Sequence, residues 1–348
     1  MTPDPVPSTA DEGAPAQERL ADVVRRGLGL GATTPVSFHE ISELSNINYV
    51  YRVETPERTL YLKVVPERPK RFAAQIPRER IFSEAEGLRR FRGLAGGVAM
   101  IPEVLFVDDR EMALAMSDVG EGRQVLFTVL ADRFDLLGEQ AETLGWALGA
   151  IHGGTRGSGP LRPPLEEMII RKVIFDGLLA PGARHVLSDA WDAIAAEMQA
   201  ESQCLIHADL WSKNLLVRSG APVALVDFEG VIYSHPAFDL GTLAAVALVP
   251  AIQRPALVSG ALDFIERLLA AWSAGCGDDT WPAEVLPRTF RATGVFLAIR
   301  GFGPFAYSLD EAERQSLSQL ARSLATEPPA DRAAFRERVL QHAGVAAG

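Results

Sequence analysis

The sequence predicts an α+β protein in two lobes, a small one with an antiparallel sheet plus a helix and a large, mainly helical one. Three observations carry this. Short strand-like runs at 38–53, 59–65, 104–107 and 112–116 fill the first third and are interrupted by a helical stretch at 77–92. From residue 136 onward helical periodicity dominates. Between Cys204 and Gly241 two apolar strands return, separated by a polar loop.

The composition bounds what the chain does. Its 348 residues with 47% apolar content suffice for a sizeable core in one bilobal unit or two domains. A net charge of -11 argues against broad nucleic-acid or anionic-membrane binding, where a basic face is expected. Cys204 and Cys276 make neither a disulfide framework nor a zinc pattern, which fits a reducing cytosol and two packing residues. The longest apolar run, Leu243 to Ile252, is broken by Pro250 and too short to span a bilayer, so a cytoplasmic protein is expected.

Taken in order, residues 1–17 are proline-rich and read as a flexible tail. Glu18 to Leu30 has Leu20, Val23, Val24 and Leu28 at helical spacing, closed by glycines. Phe38 to Val53 and Thr59 to Val65 are strands, with Thr55-Pro56-Glu57-Arg58 as a turn. Basic charge is carried almost wholly by arginine, so Lys63 inside a strand stands out. It shares a face with Tyr61 and Val65 and needs a partner, because an unpaired charge in an apolar cleft is costly. The following helix offers one: Ile81, Ala85, Leu88 and Phe91 form its apolar arc and Glu84 falls inside it, with Glu79 and Glu86 as reserves.

Val104 to Val107 and Met112 to Met116 form a hairpin that ends in the connector Ala115 to Val119. Leu136 to His152 is a long helix, with His152 as a helix-end or core residue. Leu161 to Leu187 reads as helices joined by a loop at Gly177 to Gly182, and Asp189 to Glu201 as a further helix. Asp239 is placed as a helix N-cap. Leu257 to Ala274 and Pro287 to Ile299 are helices, and Arg300 to Phe305 a break lined with aromatics, where Arg300 either binds a ligand or caps the helix.

The stretch CLIHADLWSKNLLVRSGAPVALVDFEG, Cys204 to Gly230, spells H-x-D-x-x-x-x-N followed by D-F-E. Asp209 leaves one strand to meet an incoming hydroxyl, Asn214 comes round toward a divalent metal, and Val223 to Val226 carries Asp227 back to it. In phosphoryl transfer the protein mainly positions groups and neutralises charge, so so small a set is nearly sufficient. This run resembles the catalytic and metal loops of the bilobal protein-kinase-like fold. Ala208 and Glu229 replace the arginine and glycine of H-R-D and D-F-G, which points to its small-molecule branch: aminoglycoside phosphotransferases, choline kinases and methylthioribose kinases.

The resemblance implies a nucleotide-binding lobe at 18–117, a catalytic and substrate lobe at 118–340 and a C-terminal tail at 341–348. It implies Asp209 as the catalytic group, Lys63 held by Glu84 on the nucleotide phosphates, and Asn214, Asp227 and Glu229 on Mg2+. The phosphate-covering turn would use Ser45, Asn46 and Asn48 where protein kinases have glycines. Ser117 and Val119 would meet the nucleobase through their backbones, and Arg300 and Trp211 the acceptor. An aspartate at position 239 would brace the catalytic loop. The donor is ATP or GTP and the acceptor a hydroxyl compound, in a monomer or homodimer.

N-I-N-Y-V-Y-R-V at 46–53 and D-F-E leading to Asp239-Leu240-Gly241 look most like methylthioribose kinase, though that enzyme has serine at the position of Asn214 and paired arginines where this chain has Arg300-Gly301. An aminoglycoside or nucleoside antibiotic is the competing acceptor. A pseudokinase-like module that holds nucleotide without transfer is the alternative from another class, and the presence together of Lys63, Asp209, Asn214 and Asp227 opposes it.

Overall fold

Period-two alternation of apolar residues draws the first five strands into one antiparallel sheet. The computed structural model describes residues 17–41, 48–67, 77–130, 137–278, 280–303 and 306–343. Its first elements are α1 (Gln17–Leu28), β1 (Ser37–Glu40), β2 (Tyr49–Glu54), β3 (Thr59–Val64), α2 (Arg80–Leu94), β4 (Val104–Asp108) and β5 (Ala113–Ser117). The sheet order is β1-β2-β3-β5-β4. On one face Tyr49, Tyr51, Val53, Leu60, Leu62, Val64, Ala113 and Ala115 are buried with Leu20, Val23 and Val24 of α1. The opposite face of β3 therefore carries Tyr61 and Lys63, and Lys63 stands between Val50 and Leu114 of the neighbouring strands.

Two compact units emerge, residues 1–85 with 102–118 and residues 86–101 with 119–348. Residues 86–101 group with the larger unit. The reason is packing: Phe91 lies edge-on to Phe228 at 5.2 Å, and the Met100 N–H donates to the Val223 carbonyl at 2.8 Å. The tails at 1–16 and 344–348 lie outside the described residues.

The larger unit continues with β6 (Gln124–Val125), α3 (Leu126–Leu130), α4 (Gly138–Gly154), α5 (Pro163–Met168), a π-helix (Ile169–Leu179), α6 (Ala180–Leu187), α7 (Trp191–Gln199), β7 (Cys204–Ile206), β8 (Leu215–Val217), β9 (Ala224–Leu225), β10 (Ile232–Ser234), α8 (Ala237–Gln253), α9 (Val258–Gly275), α10 (Trp281–Phe302), α11 (Glu311–Thr326) and α12 (Arg332–Ala343). β7 pairs antiparallel with β10, and β8 lies between β6 and β9. Both cysteines are buried and free, and burial raises both thiols, Cys276 to about 12, as expected of packing residues. Among the described residues no helix is long and apolar enough to cross a membrane.

A row of glycines lets α9 lie directly on α4. A Cβ at Gly145, Gly149 or Gly153 would stand 2.2–2.4 Å from the carbonyl oxygens of Leu268, Trp272 and Cys276. That approach brings the Trp272 indole onto His152.

Three sequence expectations need correction. The loop expected at Gly177 to Gly182 is helix throughout. The Ala180 N–H reaches back to the Phe175 carbonyl, so a widened turn carries the chain up to Pro181. Gly182 is there for contact, since a Cβ would lie 2.7 Å from the Ile299 Cα. Asp239 is not an N-cap: α8 starts at Ala237 after Pro236, and Asp239 is its third residue, fully buried. The break expected from Arg300 begins only at Gly303, because α10 runs on through Phe302. Pro304 and Phe305 lie outside the described residues.

Candidate active site

In the smaller unit, strand alternation turns Lys63 away from the α1 core toward the first turns of α2. Its Nζ stands 2.8 and 3.1 Å from the two carboxylate oxygens of Glu84, with side-chain exposures of 5% and 2%. Of the three glutamates weighed, Glu84 is the partner; Glu86 instead pairs with Arg90 on the same helix. Such a pair lasts in a low-dielectric interior only when its geometry is good, and two short N–H···O bonds provide that. Tyr61, half-buried two residues before Lys63, has its phenol raised by burial and then by Asp118, with Arg52 opposing.

Ser117 gives its N–H to the Glu103 carbonyl and accepts the Glu103 N–H on its hydroxyl, which leaves its own carbonyl as the group it can offer. Ser45 and Asn46 lie outside the described residues. Just after them Asn48 is fully buried, and its Oδ1 accepts from the Arg80 guanidinium at the start of α2.

In the larger unit the catalytic loop leaves β7 through His207 and Ala208, and Ala208 takes a left-handed φ of 62°. One buried carboxylate holds this turn. Asp239 Oδ2 accepts from the His207 N–H and Oδ1 from the Ala208 N–H, both at 2.9 Å, and His152 Nε2 lies 3.2 Å from Oδ2. The Trp272 indole N–H, which can only donate, points at His152 Nδ1 at 3.1 Å. Nδ1 is therefore the acceptor and Nε2 carries the proton toward Asp239. Trp272, His152 and Asp239 form a chain from the α4–α9 contact to the loop backbone. His207 packs on Phe228 at 4.5 Å with its Nε2 3.1 Å from the Val226 carbonyl, and burial lowers its pKa.

Asp209 follows. Asn214 donates its Nδ2 to the Asp209 carbonyl at 2.9 Å and to Oδ2 at 2.7 Å, while the Asn214 carbonyl accepts from Val226 at the end of the second strand. Asp227 turns the chain with φ 63° and ψ 68°, and Gly230 lies so close to the catalytic loop that a Cβ would stand 3.0 Å from the His207 carbonyl and 3.6 Å from the Asp209 Cβ. The fold thus brings residues 209, 214 and 227 together. The Asp209 carboxyl is raised to about 7, first by burial and then by Asp227, with Glu229 adding to the rise and Arg300 and the Asn214 bond opposing it.

The donor set suits a hard divalent cation. With Nδ2 committed to Asp209, Asn214 keeps its amide oxygen as an acceptor, and Asp227 and Glu229 add carboxylates in a pocket where like charges already crowd Asp209. Among the described residues no group of three His, Cys, Asp or Glu side chains forms a metal cage by itself. A cation sharing its remaining ligands with phosphate and water needs none.

Arg300 and Trp211 meet: the guanidinium carbon stands 4.1 Å over the indole ring, and Lys213 Nζ lies 5.2 Å from the same ring. Arg300 does not cap its helix. Among the described residues its side chain donates to no carbonyl, and Gly303 closes α10 through its N–H to the Ile299 carbonyl. Val119 gives its carbonyl to Arg123 at 3.0 Å. Tyr61 was not singled out from the sequence as a site residue, and Asn48, expected in the phosphate-covering turn, is bonded to Arg80 in a link the sequence does not show. Period-two spacing from Lys63 could have flagged Tyr61, but only the fold joins Asn48 to Arg80.

A phosphotransferase scaffold is what this fold and loop geometry define, and residues 40–283 match the model of the phosphotransferase enzyme family. The chain belongs to that family, and the activity it carries is phosphoryl transfer to an alcohol. Among solved structures it is similar to an amicoumacin kinase in complex with AMP-PNP, Ca2+ and Ami (17% identity, 90% of this chain and 96% of that one, TM-score 0.52). It is also similar to a microcompartment-associated aminopropanol kinase (17% identity, 94% and 99%, TM-score 0.51). At this identity the likeness is one of fold. A search of curated protein sequences returns no match.

Proposed function

We propose that this protein is a small-molecule kinase that moves the γ-phosphate of ATP or GTP to a hydroxyl of a sugar-like metabolite or antibiotic. The observation that carries this reading is the Asp209 carboxyl, bonded to Asn214 and crowded by Asp227 and Glu229. A carboxyl with a pKa near neutrality is a competent acceptor for the proton of an attacking alcohol.

In this reading Asp209 orients the acceptor hydroxyl and takes its proton. Lys63, fixed by Glu84, grips the α- and β-phosphates, and Tyr61 offers its ring to the base. Ser117 presents a carbonyl and Val119 an N–H to the base edge. Asn214, Asp227 and Glu229 would hold Mg2+, which when bound neutralises phosphate charge. The Trp272–His152–Asp239 chain keeps Asp209 in register by fixing the two peptide N–H groups before it. The AMP-PNP and Ca2+ seen with the amicoumacin kinase support a nucleotide donor and a divalent cation here. Of the acceptors weighed, a methylthioribose-like pentose or a nucleoside-type antibiotic suits Arg300 better than a polycationic aminoglycoside does, because Arg300 already places a cation beside Asp209.

The test is a panel of pentoses, nucleoside antibiotics and aminoglycosides with ATP or GTP, read by mass spectrometry for an added phosphate. Transfer to a member of the panel, abolished in Asp209→Ala, is the expected result. Equal nucleotide turnover in the variant and the parent would instead make this a module that holds nucleotide without transferring phosphate.

A further inference from the structure

Arg300 has a chemistry that proton transfer and phosphate gripping leave unused. It lies in the last turn of α10 with 7% of its surface exposed and its guanidinium carbon 4.1 Å over the Trp211 ring. Among the described residues none of its N–H groups reaches an acceptor, and its nitrogens are not among the buried polar atoms sealed from solvent. They therefore keep some contact with solvent. Burial works against its charge, with Tyr307 and Asp209 opposing. An aromatic face supplies part of what water gave, but it accepts none of five donors set in a planar fork. A buried fork held open in this way fits a planar or tetrahedral oxyanion.

We propose that Arg300 docks a carboxylate or phosphate carried by the acceptor, so that the acceptor is an acidic hydroxyl compound such as a sugar acid or sugar phosphate. This rests on the kinase reading above, because it takes Asp209 as the point where the hydroxyl arrives. Trp211 backs the fork, and Lys213, beside the same ring, adds a second positive charge. Oxyanion on Arg300 and hydroxyl on Asp209 would then define the acceptor at two points, which is what orientation requires. The same fork could instead receive the γ-phosphate during transfer, and the experiment separates the two sources.

Matched pairs are titrated into the full-length protein without nucleotide: gluconate with sorbitol, glycerate with glycerol, ribose 5-phosphate with ribose, and kanamycin as a polycation. Binding is read by tryptophan fluorescence and thermal shift in the parent, Arg300→Gln, Arg300→Lys and Trp211→Phe. The expected result is saturable quenching by at least one acidic member, tenfold or more tighter than its neutral partner. It should weaken at least tenfold in Arg300→Gln and less in Arg300→Lys, which keeps the charge without the fork. Trp211→Phe should lose the fluorescence change and keep the thermal shift. With Mg-ATP present, Arg300→Gln should raise the KM for the acidic acceptor tenfold or more and leave the ATP KM within twofold.

Saturable binding of no acid, equal binding of both members of every pair, or preference for kanamycin overturns the proposal. So does a raised ATP KM with an unchanged acceptor KM, which would assign Arg300 to the γ-phosphate. Arg300-dependent anion binding with no Asp209-dependent transfer to any compound would remove the kinase reading and the acceptor role with it, while leaving an anion site. Melting temperatures of all variants show whether loss of binding is loss of fold.

Discussion

In the smaller unit a lysine and a glutamate meet at 2.8 Å, closed off from water. In the larger one burial, and after it Asp227 and Glu229, raise the Asp209 carboxyl to about 7, and Arg300 lies buried with no acceptor among the described residues. The two centres handle charge in opposite ways. Lys63 and Glu84 offset one another inside the protein, so in the proposed reaction the ammonium would be in position before any phosphate arrives. The Asp209 carboxyl is held up by burial first and by its acidic neighbours next, a cost that a cation and substrate would be suited to offset. On the proposed reading the first centre is preorganised to grip phosphate, and the second is completed only when its reactants arrive.

Removing Asp209 is the strongest way to break this comparison. Asp209→Ala should lower kcat about 10³-fold, within the span usual for a general base, and leave the ATP KM nearly unchanged. Steady-state kinetics check it, and a tenfold effect or less would place proton transfer elsewhere.

Next in size is Glu84→Gln, which leaves Lys63 charged and buried beside a neutral amide. Removing one partner of a buried pair costs on the order of 3–5 kcal/mol, read as a lower urea midpoint with a raised ATP KM. The double substitution Lys63→Met/Glu84→Leu should recover most of that stability and none of the activity. If the single variant is as stable as the parent, the centre is not the self-neutralised pair described here.

Asp239→Asn tests the brace beneath the other centre. An amide has a single acceptor oxygen, and its NH2 would face a peptide N–H that now donates to Oδ1 or Oδ2. Stability should fall by about 2–3 kcal/mol with a loss in kcat, because one buried donor is left unmet and the Ala208 turn relaxes. Chemical denaturation and kcat together distinguish this from a packing effect, which would leave kcat intact.

Much of this was legible in the sequence where the signal is local. The apolar arc of α2 with Glu84 inside it follows from helical spacing alone, and Ile81, Ala85, Leu88 and Phe91 are all buried as the pattern requires. The H-x-D-x-x-x-x-N and D-F-E spacing likewise joins side chains that two short strands and their loops bring together. What escaped was set by distant contact. Gly177 to Gly182 has the composition of a loop, yet α10 presses so closely on Gly182 that the segment stays helical. Asp239 has the residue type of a cap, but its partners lie far back along the chain at His152 and His207. Arg300 with Trp211, and Asn48 with Arg80, are pairings that no periodicity contains.

The burial of Asp209 beside other carboxylates also predicts a stability that depends on pH. Its carboxyl ionises at 3.8 in the unfolded chain and at about 7 in the folded one, so between those values the folded state binds the extra proton. Its contribution is fully present below pH 3.8 and lost as pH rises through about 7. Asp209 is partly open to solvent, and screening trims the full shift to a loss of about 2 kcal/mol. In metal-free protein Asp209→Asn should therefore be about 2 kcal/mol more stable than the parent at pH 8 and no more stable at pH 4. Urea unfolding at both values decides this. A variant less stable at pH 8 would show that the like charges are already balanced by the protein.

The smallest effect sharpens the comparison by holding geometry constant. Arg267 and Glu142 meet across α9 and α4 at 2.7 Å, as close as Lys63 and Glu84, but with side-chain exposures of 55% and 54%. Water screens both charges and holding two long side chains together costs entropy, so the pair is worth about 0.5 kcal/mol or less. Glu142→Gln should shift the urea midpoint barely beyond error, and 0.5 M NaCl should erase even that. A double-mutant cycle on each pair, run in the same buffer, gives the ratio directly. A coupling at Arg267–Glu142 as large as that at Lys63–Glu84 would mean that burial does not separate the two, and the contrast between a sealed pair and an open one would lose its physical basis.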